Sequence, residues 1–566
     1  MPKVFIKGGN AVNLTKADFL ASGGEGDVYV QGSRAYKLYH DPLKMIPVGK
    51  IADLSAIKVP YVIKPDHVLC DVSGGALGYD MTYVKDALSM CQLFPRAFRE
   101  REGLTHDKVL LLIRKFQEGL SQIHKAGILV VDLNEMNLLI DKAFQDVFFI
   151  DADSFQTPHF PATAIMDSIR DPLHDYSHGK GRLESDWYSF GIVAFQMFTG
   201  IHPFRGKHPT IKGMPDRMKA GVSVLNKDVS VPSVVYPWNV IPPAYRSWFE
   251  AVFEKGLRVP PPSDLTGAVL IAAAIRQVIT SGGIDLTDIY TIPGVIRAIQ
   301  DSFGVGVVLS SDGIFVDQRR VGDMHDGALV SFTPKGNRPI VSWKERTGTL
   351  HLYDCQDRKE IPFGLSVDQS MATNGRLYVK VNEQILQVSF AEVASRIIAS
   401  SMPVANCMMN ATRLYEGVAV QNMLGVPYVT LFPKENETYT LAVKELAEYR
   451  VVDAKADANV LQIVAARRDG KYDRLILRFD FATQTYDLRK VEDISPSSLN
   501  FVVLDSGVVA CLTEEDKIEL YSARKGQANV KVVEDKALGG DMRLAKLGGR
   551  VVFSRGDGKI TRLSVK

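Results

Sequence analysis

Cysteine is scarce in this chain. Cys70, Cys91, Cys355, Cys407 and Cys511 are scattered over 566 residues, with no C-x-x-C pair among them. That spacing argues against a disulfide framework or a zinc ribbon and fits a reducing compartment, so the five are read as buried, apolar thiols. Long apolar runs are missing too. The longest lies at 267–275 and stops at Arg276, far short of the roughly 20 residues that span a bilayer. Residues 1–10 lack the apolar stretch of a signal peptide. Neither sign of charge is in excess: 67 Lys and Arg stand against 65 Asp and Glu, a net charge of +2. Such a balance gives no electrostatic footprint for nucleic acid or an anionic membrane. The expectation is a cytoplasmic protein with no nucleic-acid and no membrane partner.

At about 100–200 residues per domain, 566 residues are too many for one ordinary core. The chain has two parts with different periodicities. Up to about residue 280, short β-type runs are followed by helical patterns. Val109, Leu112, Ile113, Phe116, Leu120 and Ile123 recur every three or four residues, which puts them on one helix face, with Thr105 as N-cap and Gly127 as stop. Residues 186–198 are apolar nearly all round and read as a helix buried in a helical lobe. Beyond Ser281-Gly282-Gly283, short β-type runs alternate with turn pairs such as Asp312-Gly313, Asn374-Gly375, Asp469-Gly470 and Asp557-Gly558, a hairpin signature. Residues 294–566 divide into about seven units, each about the 40 residues of a four-stranded propeller blade. An all-β propeller of about seven blades is expected. Six or eight blades, or two β-sandwiches, are the alternatives.

Chemistry concentrates in the first part. Gly23, Gly24 and Gly26 lie between two β-type runs, where backbone N–H groups can approach a polyphosphate. No G-K-[ST] follows, so this is not a Walker loop. Lys37 alternates with apolar neighbours and would project from a strand beside that loop, as a point charge for phosphate. Asp132 and Asn137 bound a polar hexad between two apolar runs, and Asp151 follows the apolar run 147–150 directly. Rigid apolar flanks suit a general base, and oxygen ligands such as Asn137 and Asp151 suit Mg²⁺.

In this order the motifs resemble the eukaryotic-like (Hanks-type) protein kinases over about residues 15–278. Gly-Gly-Glu-Gly-Asp-Val-Tyr is similar to the nucleotide loop, Lys37 to the strand lysine, Asp132 with Asn137 to the catalytic loop, and Asp151 to the metal-binding Asp. Asp186-Trp187-Tyr188-Ser189-Phe190-Gly191 resembles the helix beneath that loop, and Ile201-His202-Pro203-Phe204 the turn after it. Asp-Leu-Asn-x-x-Asn with Ile-Asp-Ala-Asp-Ser-Phe-Gln resembles a bacterial branch found with stress-response and tellurium-resistance systems. The resemblance implies an α+β two-lobed kinase-like fold over 1–278 (N-lobe about 1–85, C-lobe about 86–278), a linker at 279–293 and the propeller-like domain at 294–566. It implies Mg²⁺ and ATP, the latter under Gly23, Gly24, Gly26 and Val28, with Lys37 on its phosphates and adenine against Met81, Tyr83 and Val84. Asp132 would deprotonate a protein Ser or Thr hydroxyl, Asn137 and Asp151 would hold the metal, and the propeller would recruit or sense a protein partner.

The sequence also departs from that pattern. Val130-Val131 replaces His-Arg, so activity should not depend on phosphorylation within 157–178. Asn134 takes the place of a lysine, Ala152-Asp153 replaces Phe-Gly, and Asp153 is read as a turn cap or a second metal ligand. Residues 41–60 contain no Glu, which leaves Asp53 as the candidate partner for Lys37. Ala-Pro-Glu is absent; Arg170-Asp171-Pro172 is nearest, with Asp171 paired to Arg258. These departures keep two other readings open: a pseudokinase or scaffold that binds nucleotide without transfer, and a small-molecule kinase. Removal of 290–566 is expected to leave ATP binding intact.

Overall fold

Seven short strands open the chain: β1 (Lys3–Ile6), β2 (Ala11–Asn13), β3 (Phe19–Ser22), β4 (Gly26–Gln31), β5 (Arg34–Tyr39), β6 (His67–Cys70) and β7 (Ala76–Thr82). They form one sheet in the order β2-β1-β6-β7-β5-β4-β3. The computed structural model describes residues 3–176, 180–266, 282–302, 304–334, 338–393, 396–496 and 499–566. Alternation along the strands sends Phe19, Tyr29, Tyr36 and Leu69 into one apolar cluster and Tyr39, Val68 and Tyr79 into another on the opposite face. Helix α1 (Val48–Leu54) covers the second cluster through Ile51.

The helical lobe follows. Helix α2 (Arg96–Arg101) leads into α3 (His106–Lys125), whose six periodic apolar residues are all buried. The Thr105 hydroxyl accepts from Lys108 N, and Gly127 turns the chain at φ 73°. Helix α4 (Leu183–Thr199) is buried from Ser185 onward. Between α3 and α4, β9 (Leu138–Ile140) pairs antiparallel with β10 (Val147–Phe149), and β9 also pairs with β8 (Leu88–Ser89). Arg258 clasps Asp171 through Nε (3.0 Å) and Nη2 (2.6 Å), which ties the segment before α4 to the end of the lobe. The five cysteines are buried. Among the described residues no helix is long and apolar enough to cross a membrane.

The second part is all β. Six four-stranded antiparallel sheets are built from consecutive strands, at 296–322, 329–361, 369–406, 412–442, 449–494 and 500–534. A seventh takes three strands from the C-terminus, Arg543–Leu547, Arg550–Ser554 and Lys559–Val565, and its fourth from Ile284–Thr291. That fourth strand falls inside the stretch expected to be a linker. Its partner lies at the far end of the chain (Ile284 opposite Val565), which no local pattern discloses. Residues 267–281, with the apolar run at 267–275 and the start of that stretch, lie outside the described residues. At least one strand of each of these sheets lines a common cavity of about 1810 Å³, bordered also by Ser22, Tyr83 and Asp86 of the first part.

The two parts share one apolar core. Val452, Val464, Ala466, Tyr472, Ile494 and Leu499 join the cluster that holds Phe116, Leu133 and Phe190. Around it, Arg101 meets Asp453 (3.3 Å), Arg205 meets Asp493 (2.7 Å) and Lys207 meets Glu515 (2.6 Å). This shared core bears on the expectation that ATP binding survives removal of 290–566: truncation would strip an apolar face from the helical lobe.

Candidate active site

The cleft between the strands and the helical lobe gathers the polar residues singled out from the sequence. The turn Gly23-Gly24-Glu25 joins β3 to β4, closed by Gly23 N donating to Gly26 O (2.9 Å). Gly26 has a structural reason to lack a side chain: a Cβ there would lie 2.2 Å from the Leu38 carbonyl oxygen on β5. Val28 is directly opposite Lys37 in the β4–β5 register. Met81 packs half-buried beside the Tyr39 and Tyr79 cluster, while Tyr83 and Val84 border the large cavity.

Asp132 and Asn137 sit on the loop leading into β9, and Asp151 follows β10. The β9–β10 hairpin thus folds two distant stretches of sequence side by side, sealed by Ile150 N donating to Asn137 O (3.0 Å). Asn137 Nδ2 donates to the Asp132 carbonyl (3.1 Å) and to its Oδ2 (3.2 Å), which turns the amide oxygen away from Asp132. Asp132 Oδ1 accepts from Met166 N (2.8 Å). Asp151 has φ 61°, and its side chain is 45% exposed to the cleft. An amide oxygen and an open carboxylate on adjoining strand ends form a hard-oxygen donor set that fits Mg²⁺.

The loop itself is strained and held. Val131, a β-branched residue, stands at φ 64°, a conformation that costs roughly 1–3 kcal/mol. The buried Asp186 of α4 fixes it, accepting from Val130 N and Val131 N, each at 2.8 Å, while His124 Nε2 lies 2.9 Å away. His202 Nδ1 accepts from Phe204 N, so its Nε2–H donates to Ser168 O (2.9 Å). Burial lowers the His202 pKa to about 3, and the ring stays neutral.

Three expectations about the departures need correction or sharpening. Asp53 does not meet Lys37; its carboxylate accepts from Thr157 Oγ1 (2.7 Å) and faces His159. Lys37 bonds Asp153 instead (Nζ to Oδ2 2.7 Å), with Glu25 at 3.2 Å and Asp151 at 3.9 Å. Asp153 is therefore not a turn cap. It is buried inside the turn 152–154, and Tyr39 OH donates to the same oxygen (2.9 Å). Burial alone would pull the Lys37 ammonium down, but Asp153 and then Asp151 outweigh it, and its pKa is raised. Burial would raise Asp153, but the Lys37 ammonium outweighs that and holds the carboxyl below its usual range. Asp151, partly desolvated and repelled by Asp153, is pushed up. Asn134, in the place of a lysine, turns inward: it is 1% exposed, and its Oδ1 accepts from Met136 N and Asn137 N. Residues 177 and 178, at the end of the stretch expected not to need phosphorylation, lie outside the described residues.

Sequence reasoning missed the contribution of the second part. Tyr472 OH donates to the buried Glu135 of the 132–137 loop (2.6 Å), and Arg450 Nη1 donates to Met136 O (2.6 Å). The turn between strands Val460–Arg467 and Tyr472–Asp480 reaches the cleft mouth. Arg468 Nη1 is 3.0 Å from where a Gly24 Cβ would stand, and a Gly470 Cβ would be 2.2 Å from Ser168 Oγ. No local pattern in the sequence disclosed the partner of Glu135, which lies 337 residues away.

No protein-family model matches the chain. It is similar to ribosomal protein S6 kinase alpha-3 of Mus musculus, 24% identical over 236 residues that make up 38% of this chain and 30% of that protein. Ribosomal protein S6 kinase alpha-2 of Homo sapiens is 25% identical over 206 residues, 33% of this chain and 27% of that protein. The smooth muscle myosin light chain kinase of Gallus gallus is 27% identical over 141 residues, 22% of this chain and 7% of that protein. The chain thus spans less than a third of the length of these curated relatives. At such identities, the similarities support a distant relationship of the N-terminal part to protein kinases.

Proposed function

We propose that the chain is an ATP- and Mg²⁺-dependent protein serine/threonine kinase. The observation that carries this reading is the convergence of Lys37, Asp132, Asn137 and Asp151 on one cleft from three separate segments, with Lys37 already paired to a buried carboxylate. In this reading the β3–β4 turn covers the triphosphate and Lys37 neutralises its oxygens. Asp132, held by Met166 N and Asn137, orients the acceptor hydroxyl and takes its proton. Asn137 and Asp151 hold Mg²⁺, which neutralises charge on the phosphates when bound. Catalysis then rests on positioning and charge neutralisation. Asp153 pairs with Lys37 in the nucleotide-free site, so the missing Glu does not leave the lysine without a carboxylate partner. Adenine lies against the segment from Met81 to Val84, within the domain limits 1–278.

The proposal extends to the second part, whose seven four-stranded sheets we read as a seven-bladed propeller presenting a rigid protein-binding surface. A cytoplasmic location and membership of the tellurium-resistance-associated bacterial branch complete the reading. One observation favours the scaffold alternative: Asn134 is turned inward, so the loop offers no cation to the transferring phosphoryl group.

The deciding experiment incubates the purified chain with labelled ATP and Mg²⁺ and maps phosphosites by mass spectrometry, alongside Asp151→Asn. Phosphoserine or phosphothreonine in the wild type, and its loss in the variant, is expected. ATP binding without any transfer would replace the kinase reading with the scaffold one.

A further inference from the structure

Lys50 is the one charged residue of α1 turned fully inward: it is 1% exposed, and among the described residues nothing accepts a hydrogen bond from its Nζ. An ammonium removed from water without a partner costs several kcal/mol, and a methionine would fill the same space without that cost. Helix α1 packs on the turn 152–154, and the carboxylates acting on Lys50 are those of Asp153 and Asp151. Asp153 has a complementary gap. Its Oδ2 is shared by Lys37 and Tyr39, while Oδ1 is buried with no well-formed hydrogen bond from a described residue, the Tyr79 side chain lying nearby.

We infer that Lys50 is a positioning residue of the nucleotide site: when phosphates draw Lys37 away from Asp153, Lys50 closes on the freed carboxylate. The nucleotide-free state leaves the Lys50 ammonium without an acceptor, and the bound state supplies one. This rests on the proposed nucleotide site. The test measures affinity for Mg-ATP and for adenosine, which has no phosphates, in wild type, Lys50→Met, Asp153→Asn and the double variant. Lys50→Met should weaken ATP about tenfold or more, the worth of one charge-assisted hydrogen bond. It should leave adenosine affinity unchanged and raise the melting temperature of the nucleotide-free protein. In the Asp153→Asn background the same change should do little. Lys50→Arg should restore part of the ATP affinity. Undiminished ATP affinity, an equal loss for adenosine, or full additivity in the double variant would overturn the inference. A wild type that binds no ATP would instead bring down the nucleotide-site reading itself.

A separate observation carries a second inference. The turn 467–471 touches both walls of the cleft mouth, Gly24 through Arg468, and Met166 and Ser168 through Gly470, and Met166 N is bonded to Asp132. Resting on the kinase reading, the structure assigns this turn to the acceptor side of the cleft, where it competes with a protein substrate. Arg468→Gly should lower KM for a Ser/Thr peptide library about fivefold, by raising the open fraction, with KM for ATP unchanged. An unchanged or higher peptide KM in a variant that still hydrolyses or transfers from ATP would overturn this inference and leave the kinase reading standing.

Discussion

Asp132→Asn is expected to cut phosphoryl transfer about 10²–10⁴-fold, the usual worth of a positioned general base, while the protein stays folded and keeps its ATP affinity. An amide cannot take the acceptor's proton, yet it is nearly the same size as the carboxylate. The local cost is small and specific. Asp132 now accepts from Met166 N through one oxygen and from Asn137 Nδ2 through the other. Asparagine has a single side-chain oxygen, so one of these donors loses its acceptor, at about 1 kcal/mol. Single-turnover transfer from labelled ATP separates the chemical step from binding. Equal rates for wild type and variant would remove Asp132 from the role of base.

The second large effect is expected at Asp186, which reacts with nothing. Its carboxylate accepts two backbone N–H groups from the strained stretch at Val130 and Val131 and faces His124. Hydrogen bonds to a buried charge contribute about 1.5–3 kcal/mol each. Asp186→Ala should therefore destabilise the chain by at least about 3 kcal/mol in urea unfolding and cost most of the transfer activity, because Val131 is then free to leave its left-handed conformation and carry Asp132 out of line. Asp186→Asn keeps one acceptor and should fall between. Wild-type stability in the Ala variant would mean that something else holds the loop.

These two residues show how legible the site was. Asp132 and Asp186 were readable because each sits in a local pattern of fixed spacing, a polar hexad between apolar runs and a charged start to an apolar helix. Lys37 was legible for the same reason, but its partner was not. The absence of Glu from 41–60 left Asp53 as the one carboxylate of the helix and the nearest substitute in sequence. It points to Thr157 and His159 instead. Asp153 is far from Lys37 in sequence and reaches it only because the β9–β10 hairpin returns the chain beneath β5. A salt bridge is chosen by distance in space, and neither residue's neighbours encode that distance.

Lys50 makes the same point in reverse. From sequence it is an ordinary helix lysine, and its burial follows only from how α1 lies against the turn 152–154. The repeated turn pairs beyond residue 281 disclosed the all-β character of the second part, since hairpins are local. They did not disclose that Ile284–Thr291 completes the last sheet, or that Tyr472 enters the core of the helical lobe.

What the sequence determined alone was therefore the local part: the period of each element, the order of the motifs that carry the kinase resemblance, and the near-neutral net charge. The tertiary structure decided which charges meet, that Lys37 leans on Asp153, that Lys50 is buried, and that the two parts share a core. Periodicity and turn chemistry are set by neighbouring residues along the chain, whereas ion pairs and shared cores depend on distances that exist only after the chain has closed on itself.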